Sequence, residues 1–286
     1  MEILAPAKIN LSLRILGKRP DGFHEIESLV QKVDLFDRIT FTNASDNRIS
    51  LVCSDPDIPG DENNLAHRAA VILAEAAGVR DRGVRIELEK NIPSGAGLGG
   101  GSSDAAAVLM GLSSFWDFSP STGFLADLGA QLGSDVPLFL YPSPAIIKGR
   151  GEIVFPLTAR LSGYFVIIYP GFSVPSQWAY SNFRLTKTAD KYRISALSKA
   201  EGGELLPDDW SSLLVNDLEA AVIQKYPEIA KAKEGLLEAG ARAALMSGSG
   251  SAVFGLFDER ETAHRAAGKM SVSGGYRIIT AKPLLS

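Results

Sequence analysis

Ile92-Pro93-Ser94-Gly95-Ala96-Gly97-Leu98-Gly99-Gly100-Gly101-Ser102-Ser103-Asp104-Ala105-Ala106-Ala107 stands between a strand-like run at 83–90 and a stretch of Ala, Val, Leu and Met that favours helix. Glycines without a Cβ let successive backbone amides converge, and a helix start adds unpaired N–H groups and the positive end of its dipole. Strand, glycine loop and helix N-terminus in that order make a cradle for phosphate. A flexible connector is the bland alternative, but Gly/Ser linkers do not ordinarily run from a strand straight into an alanine-rich helix.

Three kinds of phosphate loop compete for this segment. Gly95-x-Gly97-x-x-Gly100 matches the dinucleotide fingerprint of an NAD(P) oxidoreductase. That fingerprint needs a following buried strand ending in an acid about 20 residues on. Residues 113–120 read instead as a loop, with Asp117 in no strand. A Walker A loop needs Gly-Lys-Ser/Thr, and no Lys precedes Ser102 and Ser103.

Working outward, residues 7–15 alternate, with Lys8, Asn10, Ser12 and Arg14 on one face and Ile9, Leu11, Leu13 and Ile15 on the other. That is the period of a half-buried strand, and it points Lys8 and Asn10 the same way. Strand-like runs follow at 37–43 and 48–53. Asn64 opens a helix over Leu65–Ala77, with Gly78 as its C-cap. Asp135 lies at a junction, after a helix closed by Gly133 and before a strand-like run at 136–141. Residues 142–163 turn to Pro, Gly and polar residues, and a new series begins at 164–169, with one helix over 216–239 and two strands within 243–257. We place a domain boundary there, dividing 1–155 from 156–286. Strands and helices mix without regular βα alternation, so the class is α+β rather than a doubly wound sheet.

At 286 residues and 45% hydrophobic, the chain has enough apolar surface for one large domain or two medium ones. A net charge of −4 gives no global field for a polyphosphate backbone, which argues against nucleic acid. Cys53 is alone, so no internal disulfide forms, and His24, His67 and His264 are not spaced for zinc. The N-terminus lacks a basic, then apolar, secretory pattern, and apolar runs such as 164–169 fall far short of the roughly 20 residues of a membrane span. These features predict a cytoplasmic protein with no membrane partner.

Ordered motifs then carry a resemblance. Pro93-x-Gly95-x-Gly97-Leu98-Gly99, followed by two more glycines and Ser102-Ser103, resembles the phosphate loop of the GHMP superfamily of small-molecule kinases. Pro6-Ala7-Lys8-Ile9-Asn10-Leu11 is similar to the family's first motif and Asp21-Gly22-Phe23-His24 to its substrate loop. Gly133-Ser134-Asp135-Val136-Pro137 and Met246-Ser247-Gly248-Ser249-Gly250-Ser251-Ala252 are similar to later motifs. The version with Ser-Ser-Asp-Ala-Ala resembles the branch that phosphorylates a cytidine diphosphate-linked polyol in the non-mevalonate route to isoprenoid precursors.

The resemblance implies a two-domain α+β fold, an N-terminal ATP-binding domain and a C-terminal ferredoxin-like domain with the site in the cleft between them. It implies ATP and Mg2+ as cofactors. Asp135 would accept the proton of the attacking hydroxyl, and Lys8 would steady the alcohol and the γ-phosphate. Taken alone, Lys8 is an ordinary solvated strand lysine and Asp135 a turn former ahead of Pro137. The residues from Pro93 to Ser103 (Pro93, Ser94, Gly95, Ala96, Gly97, Leu98, Gly99, Gly100, Gly101, Ser102, Ser103) would hold the phosphates, with Ser102 or Ser103 contacting magnesium. Adenine would fall near Asn64, Leu65 and Lys90, where a helix-capping Asn64 and a solvated Lys90 are equally good readings.

For the acceptor, the implied residues are Asn10, Phe23, His24 and Tyr180. A cytosine ring asks for an aromatic face and a group that both donates and accepts, and Phe23 with His24 supplies that pair. Trp178 or Tyr180 would form a second wall, and Tyr180 is favoured. This chain departs from the family in having Phe23 where Tyr is usual, losing a hydroxyl and keeping the stacking face, and in having Leu112-Ser113-Ser114 where an Asn is common. The loop at 248–251 reads equally as a hairpin turn and as a ligand contact. A GHMP kinase acting on homoserine, mevalonate or a sugar is the alternative, and a monomer or weak homodimer is expected.

Overall fold

The alternation at 7–15 does build strand, in two pieces. In the computed structural model, which describes residues 1–79, 82–158, 161–184, 213–273 and 275–284, β1 (Glu2–Asn10) and β2 (Ser12–Lys18) break at Leu11. Both pair antiparallel with β3 (His24–Asn43). The strand is not half-buried as its pattern suggests: Lys8, Asn10 and Ser12 are only 5, 2 and 1% exposed. Their polar face looks into the molecule, where the side chains have one another and nearby backbone as partners.

β3 is the spine of the first sheet. Only its far end, 37–43, shows in the sequence pattern, because both faces of the middle of the strand are covered and the run from Ile26 to Val33 is buried throughout. β4 (Ile49–Cys53), β5 (Val84–Glu89), β6 (Ala145–Gly149), β7 (Ile153–Pro156) and the short β9 (Val215–Asn216) complete eight strands. β6 and β7 correct the reading of 142–163 as connector: Ile146 and Ile147 are buried, and the turn glycines lie between the strands.

Of four helices, α1 (Leu65–Ala77), α2 (Gly100–Phe115) and α4 (Val136–Leu140) pack on this sheet and α3 (Thr122–Leu132) packs on the other three. α1 starts and stops as its sequence says, with Asn64 accepting from Ala66 N and Gly78 left-handed at φ 66°. Leu73, Ala106, Leu109 and Leu112 close over Phe41 and Ile86, each large apolar side chain contributing about 1.5–3 kcal/mol by leaving water. Gly111 lets α2 come this close, since a Cβ there would collide with the Phe41 ring. α2 runs three residues into the expected loop at 113–120. Of the run expected as strand at 136–141, Val136–Leu140 is helix and Tyr141 its extended C-cap: a five-residue apolar run carries no period of its own, and Pro137 suits a first helical turn, where no N–H is needed.

The second sheet is β8 (Tyr164–Tyr169), β10 (Ala243–Met246), β11 (Val253–Phe257) and β12 (Arg277–Ala281) in the order β10-β11-β8-β12, all antiparallel. With α7 (Glu228–Glu238) and α8 (Arg260–Ser273) packed on it, this is the expected ferredoxin-like arrangement. The single helix expected over 216–239 is instead β9, α6 (Glu219–Lys225) and α7, divided at Pro227, whose ring cannot sit inside a helix. α5 (Ser176–Asn182) lies between β8 and β9 in the chain.

Candidate active site

The glycine loop bends because three of its residues take a conformation that side chains resist: Gly95, Gly97 and Gly99 have φ of 64, 79 and 74°. Gly99 is the N-cap of α2 and makes no side-chain cap bond, so the first N–H groups of that helix are left for another partner. A Cβ on Gly97 would collide with the Ser247 carbonyl oxygen, and one on Gly99 would press on Phe139 and the Lys8 stem. The loop is thus seated between β1 and the turn joining β10 to β11. Lys8 N donates to the Leu98 carbonyl at 2.9 Å, and Ala252 N donates to that of Ala96 at 3.0 Å.

Lys8 Nζ donates to Asn10 Oδ1 at 2.6 Å and lies 3.7 Å from Asp135 Oδ2. Asn10 is itself fixed: Nδ2 donates to Ser28 Oγ at 2.8 Å, and its backbone N donates to Ser247 Oγ at 3.3 Å. Asp135 stands at the N-cap position of α4 without a side-chain cap bond, and the far end of that helix is held by Lys32 Nζ donating to the carbonyls of Phe139 and Tyr141 at 3.0 and 2.6 Å. The ordinary reading of Lys8 as a solvated strand lysine is therefore overturned: two anchored elements bring a buried ammonium and a half-exposed carboxylate together beside the loop.

Lys90 is not solvated either. It is buried between Asp37 and Asp104, its Nζ donating to Asp104 Oδ2 at 2.6 Å and to Asp37 Oδ2. Burial alone would lower its pKa, but the two carboxylates outweigh burial and raise it. Asp104 is pushed above the usual carboxylate range by burial, against the pull of Lys90. Asn64 does cap α1, and its Nδ2 donates to the Pro59 carbonyl at 2.8 Å.

At the other end, His24 stacks on Tyr180 with ring centroids 5.5 Å apart and planes 26° from parallel. Burial, and secondly Lys18, lower the His24 pKa, so the imidazole is neutral at neutral pH, one nitrogen donating and the other accepting. Burial, then the Asp135 charge, push the Tyr180 phenol above its usual range. Phe23 is 53% exposed, with the Arg150 guanidinium 4.9 Å from its ring centroid. Trp178 turns away and packs edge-on to Tyr226.

One cleft of about 1020 Å3 gathers nearly all of these groups. Lys8, Asn10, Phe23, His24, Asn64, Leu65, Lys90, Asp135 and Tyr180 line it, as do Pro93, Ser94, Gly95, Ala96, Gly97, Gly99, Gly100, Gly101 and Ser102. Leu98 and Ser103 do not: both side chains are buried in the fold. Sequence reading missed Arg150, Ile58 and Pro59, which lie on loops with no motif around them, and Gln177 in the first turn of α5, whereas Gly248 and Ser249 join the wall as a hairpin turn that also meets the cleft. Among the described residues no three His, Cys, Asp or Glu side chains cluster as metal ligands. A Mg2+ held here would rest on nucleotide phosphates and water with Ser102 beside it, which suits the way that ion keeps its waters. Among the described residues no helix is long and apolar enough to cross a membrane.

Two family models match the chain, the GHMP kinases N terminal domain over residues 64–143 and the GHMP kinases C terminal over 194–275. A 4-diphosphocytidyl-2-C-methyl-D-erythritol kinase of Syntrophotalea carbinolica is 43% identical over 281 residues, covering 98% of each chain. One of Gloeobacter violaceus is 42% identical over 287 residues, covering 99% of this chain and 94% of its own. A crystal structure of a 4-(cytidine 5'-diphospho)-2C-methyl-D-erythritol kinase has a TM-score of 0.80 at 38% identity and covers 99% of both chains. A homoserine kinase of Cytophaga hutchinsonii, with a TM-score of 0.77 at 20% identity over the whole of this chain and 95% of its own, shares the fold.

Proposed function

This chain belongs to the GHMP kinases and, within them, to the 4-diphosphocytidyl-2-C-methyl-D-erythritol kinases; on that premise we propose that it transfers the γ-phosphoryl group of ATP to the 2-hydroxyl of 4-diphosphocytidyl-2-C-methyl-D-erythritol, in the non-mevalonate route to isoprenoid precursors. The observation that carries this is the Lys8–Asp135 pair set against the amides of the glycine loop in a cleft whose far end holds the His24–Tyr180 stack.

Phosphoryl transfer passes through a loose transition state, so the protein's task is alignment and neutralisation of spreading charge. Asp135 orients the attacking hydroxyl and accepts its proton. The Lys8 ammonium faces the oxygens that gain charge. Amides between Gly95 and Ser102 hold the phosphates, with the helix dipole of α2 behind them, while the Ser103 amide is taken by the Gly99 carbonyl. Mg2+ bound to the nucleotide supplies further neutralisation of the phosphate charge. Adenine lies near Asn64, Leu65 and Lys90, and because the Asn64 amide and Lys90 ammonium already have partners, we assign base contact mainly to the apolar surface of Leu65 and Pro59. Residues 1–155 then form the nucleotide-binding domain and 156–286 the C-terminal one. We place the enzyme in the cytoplasm, as a monomer or weak homodimer.

Release of ADP, measured with 4-diphosphocytidyl-methylerythritol, homoserine, mevalonate and a hexose in turn, tests the acceptor. Turnover confined to the first supports the reading, and turnover with any other replaces it. His24→Ala should raise the KM of the cytidylyl acceptor about tenfold or more while leaving that of ATP within about twofold. In the unaltered enzyme the acceptor KM should be flat above neutral pH and rise as pH falls below His24's lowered pKa, since protonation removes the ring's accepting nitrogen. A rise in the ATP KM instead would mean the two ligands are placed the wrong way round.

A further inference from the structure

Asn216 lies on β9, outside the cleft, yet its carboxamide is fully used. Nδ2 donates to the carbonyls of Met246 and Gly248, each at 2.8 Å, and Oδ1 accepts from Leu218 N at 3.0 Å. Its neighbours extend the bracket. Asp217 takes Ile15 N at 2.9 Å and Arg14 at 3.0 Å on β2, and Glu219 accepts from Met246 N at 3.0 Å. Residues 216–219 therefore tie the first sheet to the turn between β10 and β11.

That turn in turn holds the reacting groups. Ser247 Oγ accepts from Asn10 N and donates to the Gly97 carbonyl at 3.0 Å, bridging the strand that carries Lys8 to the glycine loop. A Cβ on Gly248 would come within 3.2 Å of both Asn10 Oδ1 and the Gly97 carbonyl oxygen, so the three segments are in close contact. Ser247 is fully buried, so any shift of the turn must be shared by its two partners.

We propose that Asn216 is a positioning residue: by donating to both carbonyls that flank Ser247, it sets the turn so that Ser247 holds the Lys8 strand and the glycine loop in register for transfer. This rests on the kinase reading above.

Asn216→Asp separates the two things the side chain does. Asp keeps an oxygen for Leu218 N but loses both donors and turns a carboxylate towards two carbonyl oxygens. The variant should bind a non-hydrolysable ATP analogue about tenfold or more weakly by calorimetry. Its kcat should fall by about tenfold or more, as expected when aligned groups are displaced by a fraction of an ångström to an ångström. Ser247→Ala should act in the same direction, and the double variant should lose no more than the worse single one, because both cut one chain of contacts. Should Asn216→Asp not fold, Ser247→Ala must still weaken nucleotide binding and turnover. Kinetics per folded molecule equal to wild type in either variant, with only a lowered melting temperature, overturns the inference, as do fully additive losses. Failure of the unaltered enzyme to bind the analogue or to release ADP would instead be failure of the kinase reading itself.

Discussion

Lys8→Ala and Asp135→Asn should each reduce turnover by about 100- to 10,000-fold in a folded protein, the range expected when a positioned proton acceptor or a charge clamp is removed. The two changes should differ in how they do so. Asp135 is partly exposed, and Asn keeps its shape, so the melting temperature and both KM values should stay near wild type while kcat collapses. Lys8 is buried, donates to Asn10 and packs its stem under Gly99. Its loss should also raise the KM for ATP and lower stability by about 1–3 kcal/mol, because Asn10 Oδ1 is left buried without its donor. Turnover within tenfold of wild type for either variant, in a sample that melts cooperatively, would refute the role given to that residue.

The parts of the site legible in the sequence are those whose chemistry demands a particular residue at a particular spacing. Gly95, Gly97 and Gly99 had to be glycine for the backbone to turn, and the alternation at 7–15 placed Lys8 and Asn10 on one face. Asp135 was legible as a residue at a junction, but not the helix it opens. A five-residue apolar run looks the same in either state, and besides Pro137 in the first turn the helix has its far end anchored by Lys32, more than a hundred residues earlier.

What stayed hidden depends on distance along the chain. The partners of Lys90 are 53 and 14 residues away, and Asp37 reads locally as one more charge in a strand. The middle of β3 hid for a different reason: with both faces covered, polar residues such as Ser28 and Gln31 interrupt the apolar run while remaining buried, so no period survives. Asn216 reads as a polar residue before a helix, and its contacts with the 246–248 turn exist only once the second sheet has formed.

Lys90→Met should destabilise the protein by about 3–5 kcal/mol at neutral pH, the cost of leaving buried carboxylates without their counter-ion. Asp37 is fully buried and retains only the backbone donors of Asn91 and Ile92, at 2.5 and 2.8 Å. Asp104 is nearly as buried, and its Oδ1 has no hydrogen-bond partner even in the intact triad. Removing Lys90 takes away the one charge that pulls the Asp104 pKa down and leaves burial and Asp37, which both raise it. A carboxyl whose folded pKa lies above its unfolded value of 3.8 costs nothing when both states are protonated, and stability is lost as pH rises through the folded value. The deficit of the variant in urea unfolding should therefore be smallest near pH 5 and widen towards pH 8. Adding Asp104→Leu to Lys90→Met should restore part of the loss and flatten that pH dependence, because the added change removes one of the two uncompensated charges. A deficit that shrinks with rising pH, or a double variant no more stable than the single one, would show that the triad is held by packing of the Lys90 stem rather than by its charge.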